Sequence, residues 1–292
     1  MTRDPLLPPN GENAAPLRGY FRLPSQTHFI ISGADSLRYL NGQLTIDVTR
    51  LPELSARSAL LLTAKGKIYA PVYIWREKDF FLIECEPALS ESVHMRLERY
   101  IIADDVTIAP TEPSPRAFHV VGAPPSPDSL LIHRIGVPGF DCTEPPANLS
   151  ELSPQAIQTI KIIHGIPSWG LEINEDSLPQ EARFETTAVD FDKGCYVGQE
   201  VVSRLKSVGR VNKRIHGFSA SIPLQTGHSL HPLDAPKSIA GNLTSVAPHF
   251  DMAKNVALGY LSRQFDELPR FIVRDQNGHL LGEVERREFP IL

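Results

Sequence analysis

The stretch Asp190-Phe191-Asp192-Lys193-Gly194-Cys195-Tyr196-Val197-Gly198-Gln199-Glu200 sets a thiol between two glycines, beside a lysine and ahead of an aromatic ring. Glycine permits backbone shapes and close approaches that a side chain would block, which predicts such roles for Gly194 and Gly198. The run that follows, QEVVSRLKS, reads as the start of a helix. Cys195 would then lie just before a helix N-terminus and near Lys193, an electropositive setting that favours thiolate. Gln199 and Glu200 bring an amide and a carboxylate able to hydrogen-bond a pterin-like heterocycle, or to fix the loop itself. Against this stands the ordinary fate of a lone cysteine, which is to be buried as a small hydrophobe.

Other reactive side chains carry less. Cys85 falls in an alternating strand pattern and Cys142 in a Pro-rich stretch, and no CxxC pair is present. Neither a disulfide framework nor a protein-only metal cage follows. The histidines show no HxH or HExxH spacing, so no mononuclear metal site is expected. His164 closes a helical pattern and is expected to cap carbonyls. Arg204, Lys206, Arg210, Lys213 and Arg214 form a basic run directly after the cysteine segment. Such a run is ordinarily a solvated face, and its position makes anion or partner contact worth testing.

The elements that must hold these residues are legible in outline. Residues 17–32 contain two short strands separated by Pro24 and Ser25. SLRYLNGQL predicts a short helix that Gly42 ends. Residues 58–86 read as strand, AKGK turn, alternating strand, charged turn and strand, an antiparallel meander. An amphipathic helix follows over 87–102, then a strand near Val106–Ala109 and strands in AFHVV and LLIHRI. Ser153 and Pro154 open another helix that stops near Gly165. From Lys213 onward short strands alternate with turns, and the last pair is a hairpin turning at Asn277–Gly278.

The chain has 292 residues and a formal net charge of −5, which argues against general nucleic-acid coating. No run of apolar residues is long enough to span a membrane. The first sixteen residues lack an apolar core or repeated arginines and are expected to be a disordered lead-in to a cytoplasmic protein. The expected division is 1–16 lead-in, 17–209 an α+β region, and 210–292 a separate C-terminal β-barrel. Within the α+β region two lobes are expected, 17–50 with 115–209, and 51–114.

KGCYVGQE at 193–200 is similar to the signature of the YgfZ family, and other blocks of that family recur in order. They are SGADSLRYLNGQLTIDV (32–48), LLTAKGKI (61–68), RLERYIIADDV (96–106), GIPSWGLEI (165–173), LPQEA (178–182) and GNLTSVA with ALGYL (241–261). The resemblance implies an α+β, aminomethyltransferase-like folate-binding fold, with three lobes around a central opening and a C-terminal β-barrel. It further implies that tetrahydrofolate is bound. The function it implies is assembly or repair of four-iron cluster proteins, including tRNA-modifying radical enzymes; a mitochondrial iron–sulfur biogenesis relative shares the family. Cys195 is the motif cysteine, accompanied by Lys193, Gly194, Tyr196, Gly198, Gln199 and Glu200. The candidate folate contacts are Glu181 for the pterin's amino edge, Tyr196 as a wall, Trp169, and Arg204 for negative charge. Expected partners are folate and iron–sulfur client or assembly proteins.

The main alternative is a folate-dependent aminomethyl or one-carbon transferase. The related aminomethyltransferase has an acidic pair after the glycine block, where Ala70 and Pro71 stand here. Proton transfer to a leaving thiolate needs a positioned acid–base group, which methyl and pyrrolidine groups do not supply. Asp47 is the neighbouring carboxylate that could substitute. A second alternative, a tRNA-binding module using 204–214, is disfavoured by the acidic balance.

Overall fold

The computed structural model describes residues 17–112, 114–207, 209–250 and 253–291. The expected lead-in at 1–16 lies outside the described residues. By contact density the chain divides into two compact units, each assembled from separated segments. The first holds residues up to 61, 70–153 and 190–197; the second holds 62–69, 154–189 and 198–292.

The first unit is built on a sheet. Its strands are β1 (Gly19–Arg22), β2 (Thr27–Ser32), β3 (Ser55–Leu62), β4 (Ile68–Arg76), β5 (Phe81–Cys85), β6 (Thr107–Thr111), β7 (Phe118–Val121), β8 (Leu130–Ile132) and β9 (Gly139–Cys142). They lie in the order β1-β7-β9-β8-β3-β4-β5-β2-β6. The pairings are antiparallel except that β3 meets β8 in parallel at Ser55↔Leu131. In β4 Ile68, Ala70, Val72 and Ile74 are buried while Tyr69, Pro71 and Tyr73 are half-buried, the period-two pattern of a strand with one face in the core. Two helices accompany the sheet, α1 (Ser36–Gln43) and α2 (Ser90–Glu98). Gly42 does not end α1, which runs one residue further before Leu44 turns extended. Cys142 is the last residue of a buried strand rather than a loop residue.

A buried ionic cluster ties five strands or their flanks together. Arg134 donates to both oxygens of Glu84 at 2.6 and 2.8 Å and to both oxygens of Asp141. Asp141 also takes His119 Nδ1 at 2.8 Å, and Tyr73 lies under the guanidinium. Burial works to raise the Glu84 carboxyl, but the Arg134 charge and its hydrogen bonds outweigh it and hold the group at about 2. Burial keeps His119 below the usual imidazole range, against the pull of Asp141.

The second unit ends in a closed barrel, β10 (Lys213–Ala220), β11 (Ser229–Pro232), β12 (Gly241–Pro248), β13 (Asn255–Ser262), β14 (Arg270–Arg274) and β15 (Leu280–Arg287), ordered β10-β13-β12-β11-β14-β15. Closure pairs β10 with β15 and so removes the exposed sheet edge. Phe218, Leu230, Leu243, Phe271, Val273 and Val284 fill the interior, with Phe218 and Phe271 edge-to-face at 6.2 Å. The expected hairpin at Asn277–Gly278 joins β14 to β15, with Gly278 at φ +84°. Helix α3 (Pro154–Ile163) lays Ile162 and Ile163 against Ile215, Val256 and Leu258 of the barrel wall. Each such side chain taken from water contributes about 1.5–3 kcal/mol. The chain then reverses at Gly165, whose φ of +69° is the left-handed helix stop.

Candidate functional site

The cysteine segment is anchored within the first unit. Asp190 receives a bidentate pair from Arg57 at 2.9 and 3.1 Å and the Asp47 amide at 2.7 Å. The Lys193 ammonium donates to the carbonyls of Asn41 and Leu44 at 2.6 and 2.7 Å, at the C-terminal end of α1 where unsatisfied carbonyls gather. It also stands 4.8 Å from the centre of the Tyr196 ring. The Val197 amide donates to the Gly42 carbonyl at 3.2 Å. Burial lowers Lys193 to about 8, opposed by the charges of Asp47 and Asp190. Burial likewise pushes the Tyr196 phenol up to about 12. Lys193 therefore serves as a clasp between this segment and α1, rather than as the thiol's dedicated counter-charge.

Between these ties Cys195 is exposed, whereas Cys85 and Cys142 are buried. Burial raises the Cys85 thiol to about 12, which removes it from thiolate chemistry near neutral pH. Gly194 is exposed as well, and a Cβ there would meet only Asn41 Nδ2 at 3.8 Å. The steric requirement expected for Gly194 is absent. Tyr196 is only 7% exposed, and its ring is shared with the Lys193 ammonium.

Gly198 fulfils its expectation. It has φ +86°, and a Cβ there would lie 2.6 Å from the Thr63 carbonyl oxygen. Its neighbour across this contact is Gly66 of the AKGK turn, at φ +73°, where a Cβ would overlap Val201 at 2.7 Å. The two glycines let the hairpin tip 62–66 press onto the start of α4 (Gln199–Ser207), both lying in the second unit. Glu200 sits in the first turn of α4, where negative charge complements the helix dipole, and Arg204 and Lys206 sit in its last turn.

Further blocks far apart in sequence meet around the same helix. Gln180 Nε2 donates to the Val202 carbonyl at 3.0 Å. Lys67 Nζ contacts Asp176 at 2.5 Å, and the Ile68 amide donates to the Ser177 carbonyl at 2.9 Å. Glu181 is 8% exposed; its Oε2 accepts the Leu178 amide at 3.1 Å and its carbonyl accepts the Ile215 amide at 2.8 Å. Gln180 is equally buried, and its Oε1 has no hydrogen-bond partner among the described residues. Sequence reasoning passed over Gln180 although it adjoins Glu181 in the LPQEA block.

Trp169 is half-buried in a loop held by Glu172. Glu172 Oε2 accepts the Ser168 amide at 2.9 Å and Oε1 accepts the Ser245 hydroxyl of β12 at 2.5 Å. The Tyr260 hydroxyl of β13 donates to the Glu172 carbonyl at 3.0 Å. Arg204 is exposed on α4. Glu181, Trp169 and Arg204 thus belong to one unit, on three different supports, and Tyr196 belongs to the other. Of the basic run, Arg214 pairs with Glu185 and Lys213 lies 4.7 Å over the Tyr260 ring. His164 donates its amide to the Ile160 carbonyl, and burial lowers its imidazole.

The positions read for transfer chemistry are otherwise committed. Ala70 is fully buried. Asp47 Oδ1 accepts the Thr49 amide and hydroxyl at 3.0 and 2.5 Å, while Oδ2 pairs with Arg50 at 3.0 Å. Among the described residues no group of three or more His, Cys, Asp or Glu is placed to hold a metal ion, and no helix is long and apolar enough to cross a membrane.

No family model matches the chain. It is similar to curated iron–sulfur cluster assembly factors. The mitochondrial IBA57 homologue of Pyricularia oryzae is 28% identical over 221 residues, covering 68% of this chain and 56% of that protein. The corresponding protein of Phaeosphaeria nodorum is 27% identical over 223 residues, covering 68% and 54%. The chain thus spans little more than half the length of these relatives. Among solved structures, the glycine cleavage system aminomethyltransferase T from Bartonella henselae superposes with a TM-score of 0.77 at 15% identity, covering 94% of this chain and 86% of that one. The expected aminomethyltransferase-like fold with a C-terminal barrel is therefore present. The expectation of a cytoplasmic protein is corrected, since the matched relatives are mitochondrial proteins. That expectation drew compartment from the composition of sixteen residues, which does not fix where a protein works.

Proposed function

We propose that this chain is a tetrahydrofolate-binding accessory factor of the YgfZ type, acting in assembly or repair of four-iron cluster proteins, tRNA-modifying radical enzymes among them. The similarity to assembly factors supports the cluster role, and the aminomethyltransferase-like fold is consistent with a reduced folate. The observation that carries the reading is Cys195. It is the one exposed thiol of three, in a segment whose neighbours are tied down on both sides. A thiol so presented can reach a partner protein without rearrangement of the fold.

The folate residues proposed in the second unit are Glu181 and Gln180, with Trp169 and Arg204 as further contacts. The pterin edge is rich in N–H donors, and a buried acceptor with no internal partner at Gln180 Oε1 fits that chemistry. Bound folate would supply a reduced pterin and an anionic tail; the protein's part is to orient the edge and complement the tail's charge.

Two measurements test this. In a strain lacking the protein, Cys195→Ala is expected not to restore the activity of four-iron enzymes, and full restoration would remove the thiol from the mechanism. Titration with tetrahydrofolate is expected to saturate, and Glu181→Ala to weaken it about ten-fold or more, the scale of a lost charged hydrogen bond. Sustained production of methylene-tetrahydrofolate from an aminomethyl–lipoyl carrier would instead establish the transferase reading.

A further inference from the structure

The barrel carries a second, separate feature. Phe218, Phe271, Val273 and Val284 point inward, so the alternating residues Ser219, Arg270, Glu283, Glu285 and Arg287 face outward on β10, β14 and β15. They line, with Lys254, a cavity of about 280 Å³. Strand register sets Glu285 opposite Arg270 on one side and Ser219 on the other. Its carboxylate takes Arg270 Nη2 at 3.3 Å and also pairs with Arg287 Nη2. Arg287 Nε donates to Ser219 Oγ at 2.8 Å, and Ser219 is only 5% exposed.

We propose that this cavity binds a small zwitterion of the acidic amino-acid class, carrying two carboxylates and one ammonium group. Three cationic and two anionic side chains line it, which leaves one positive charge over and matches a ligand of net charge −1. A bare inorganic anion would meet Arg270 and Arg287 only by also facing Glu283 and Glu285. A ligand bearing both signs satisfies both sets. Planar guanidinium groups favour carboxylates through paired hydrogen bonds. Glu285 and Ser219 already hold the guanidiniums in place, so little ordering remains for the ligand to impose. The volume lies just under the ~300–1,000 Å³ of ordinary ligand clefts, which suits a ligand of amino-acid size.

The test is calorimetric titration of the whole chain, without folate, using L-glutamate, glutarate and inorganic phosphate in turn. L-glutamate is expected to saturate one site, glutarate to bind about ten-fold more weakly for want of the ammonium, and phosphate to give no saturable heat. Arg287→Gln is expected to weaken L-glutamate about ten-fold or more. Lys254→Gln, at an exposed position outside the strands, is expected to weaken it as well without threatening the fold. Absence of saturable L-glutamate binding to the wild type would overturn the proposal. So would glutarate or phosphate binding as tightly as L-glutamate, or both variants binding as the wild type does.

Discussion

The two glycines of the cysteine segment should respond oppositely to the same added methyl group. At Gly198 the backbone is left-handed, φ +86°, and a Cβ would sit 2.6 Å from the Thr63 carbonyl oxygen and 3.0 Å from Leu62 Cβ. Holding alanine in the left-handed region costs roughly 1–2 kcal/mol. The overlap falls on backbone at the tip of a hairpin already pinned by Gly66 against Val201, so relief requires the tip to move. An overpacking penalty of about 1–3 kcal/mol is therefore added. Gly198→Ala is expected to lower unfolding free energy by roughly 2–5 kcal/mol. At Gly194 nothing lies nearer than 3.8 Å and φ is not in the left-handed region. There alanine only restricts the unfolded chain, so the expected change lies between zero and a gain of about 1 kcal/mol. Urea unfolding followed by circular dichroism measures both variants. Equal destabilisation by the two, or a Gly198→Ala effect under about 1 kcal/mol, would refute the steric account of the motif.

Replacement of Arg134 by Met strands two buried carboxylates, Glu84 and Asp141, at an expected cost of about 3–5 kcal/mol near neutral pH. In the wild type Glu84 is held at about 2, below its unfolded value of 4.5, so its stabilisation is complete above 4.5 and is lost as pH falls through about 2. Without the cation burial raises the Glu84 carboxyl, so acid should narrow the gap between variant and wild type, as urea midpoints across the acid range would report; a gap that widens would sink the argument. Lys193→Met leaves the Asn41 and Leu44 carbonyls without their donor, and hydrogen exchange at the Val197 amide is expected to accelerate about ten-fold or more. Because Lys193 is lowered from 10.5 to about 8 by burial, the unfolded chain holds the extra proton between those values. Stability should therefore rise with pH across that window, and the contribution should vanish in Lys193→Met.

Much of the architecture was legible because it rests on local signals. The period-two pattern of β4, the Pro154 start and Gly165 stop of α3, and the Asn277–Gly278 turn each carry their own steric reason within a few residues. The barrel and its starting point near Lys213 followed from turn spacing. What escaped was pairing across distance. Arg134 sat in an apolar strand pattern with no sign that Glu84 and Asp141 would both converge on it. Lys193 read as a partner for the neighbouring thiol, since nothing local revealed two carbonyls of α1 waiting for its ammonium. Gln180 was passed over because an orphaned acceptor is a property of the packed state alone.

The same distinction bears on whether this chain transfers a carbon unit or assists other proteins. Position 70 of β4 points into the core and is fully buried, so a carboxylate there would need a buried partner of its own before it could serve a substrate. Pro71 faces the other way and offers no proton. Asp47 is the remaining neighbour, and both its oxygens are taken, one by Thr49 and the other by Arg50. To act as a base it would have to release the turn that it caps. Cys195, unlike Asp47 and unlike the two buried cysteines, faces solvent with chemistry to offer. The proposed action on partner proteins rests on that contrast between a carboxylate engaged within its own turn and a thiol presented to solvent.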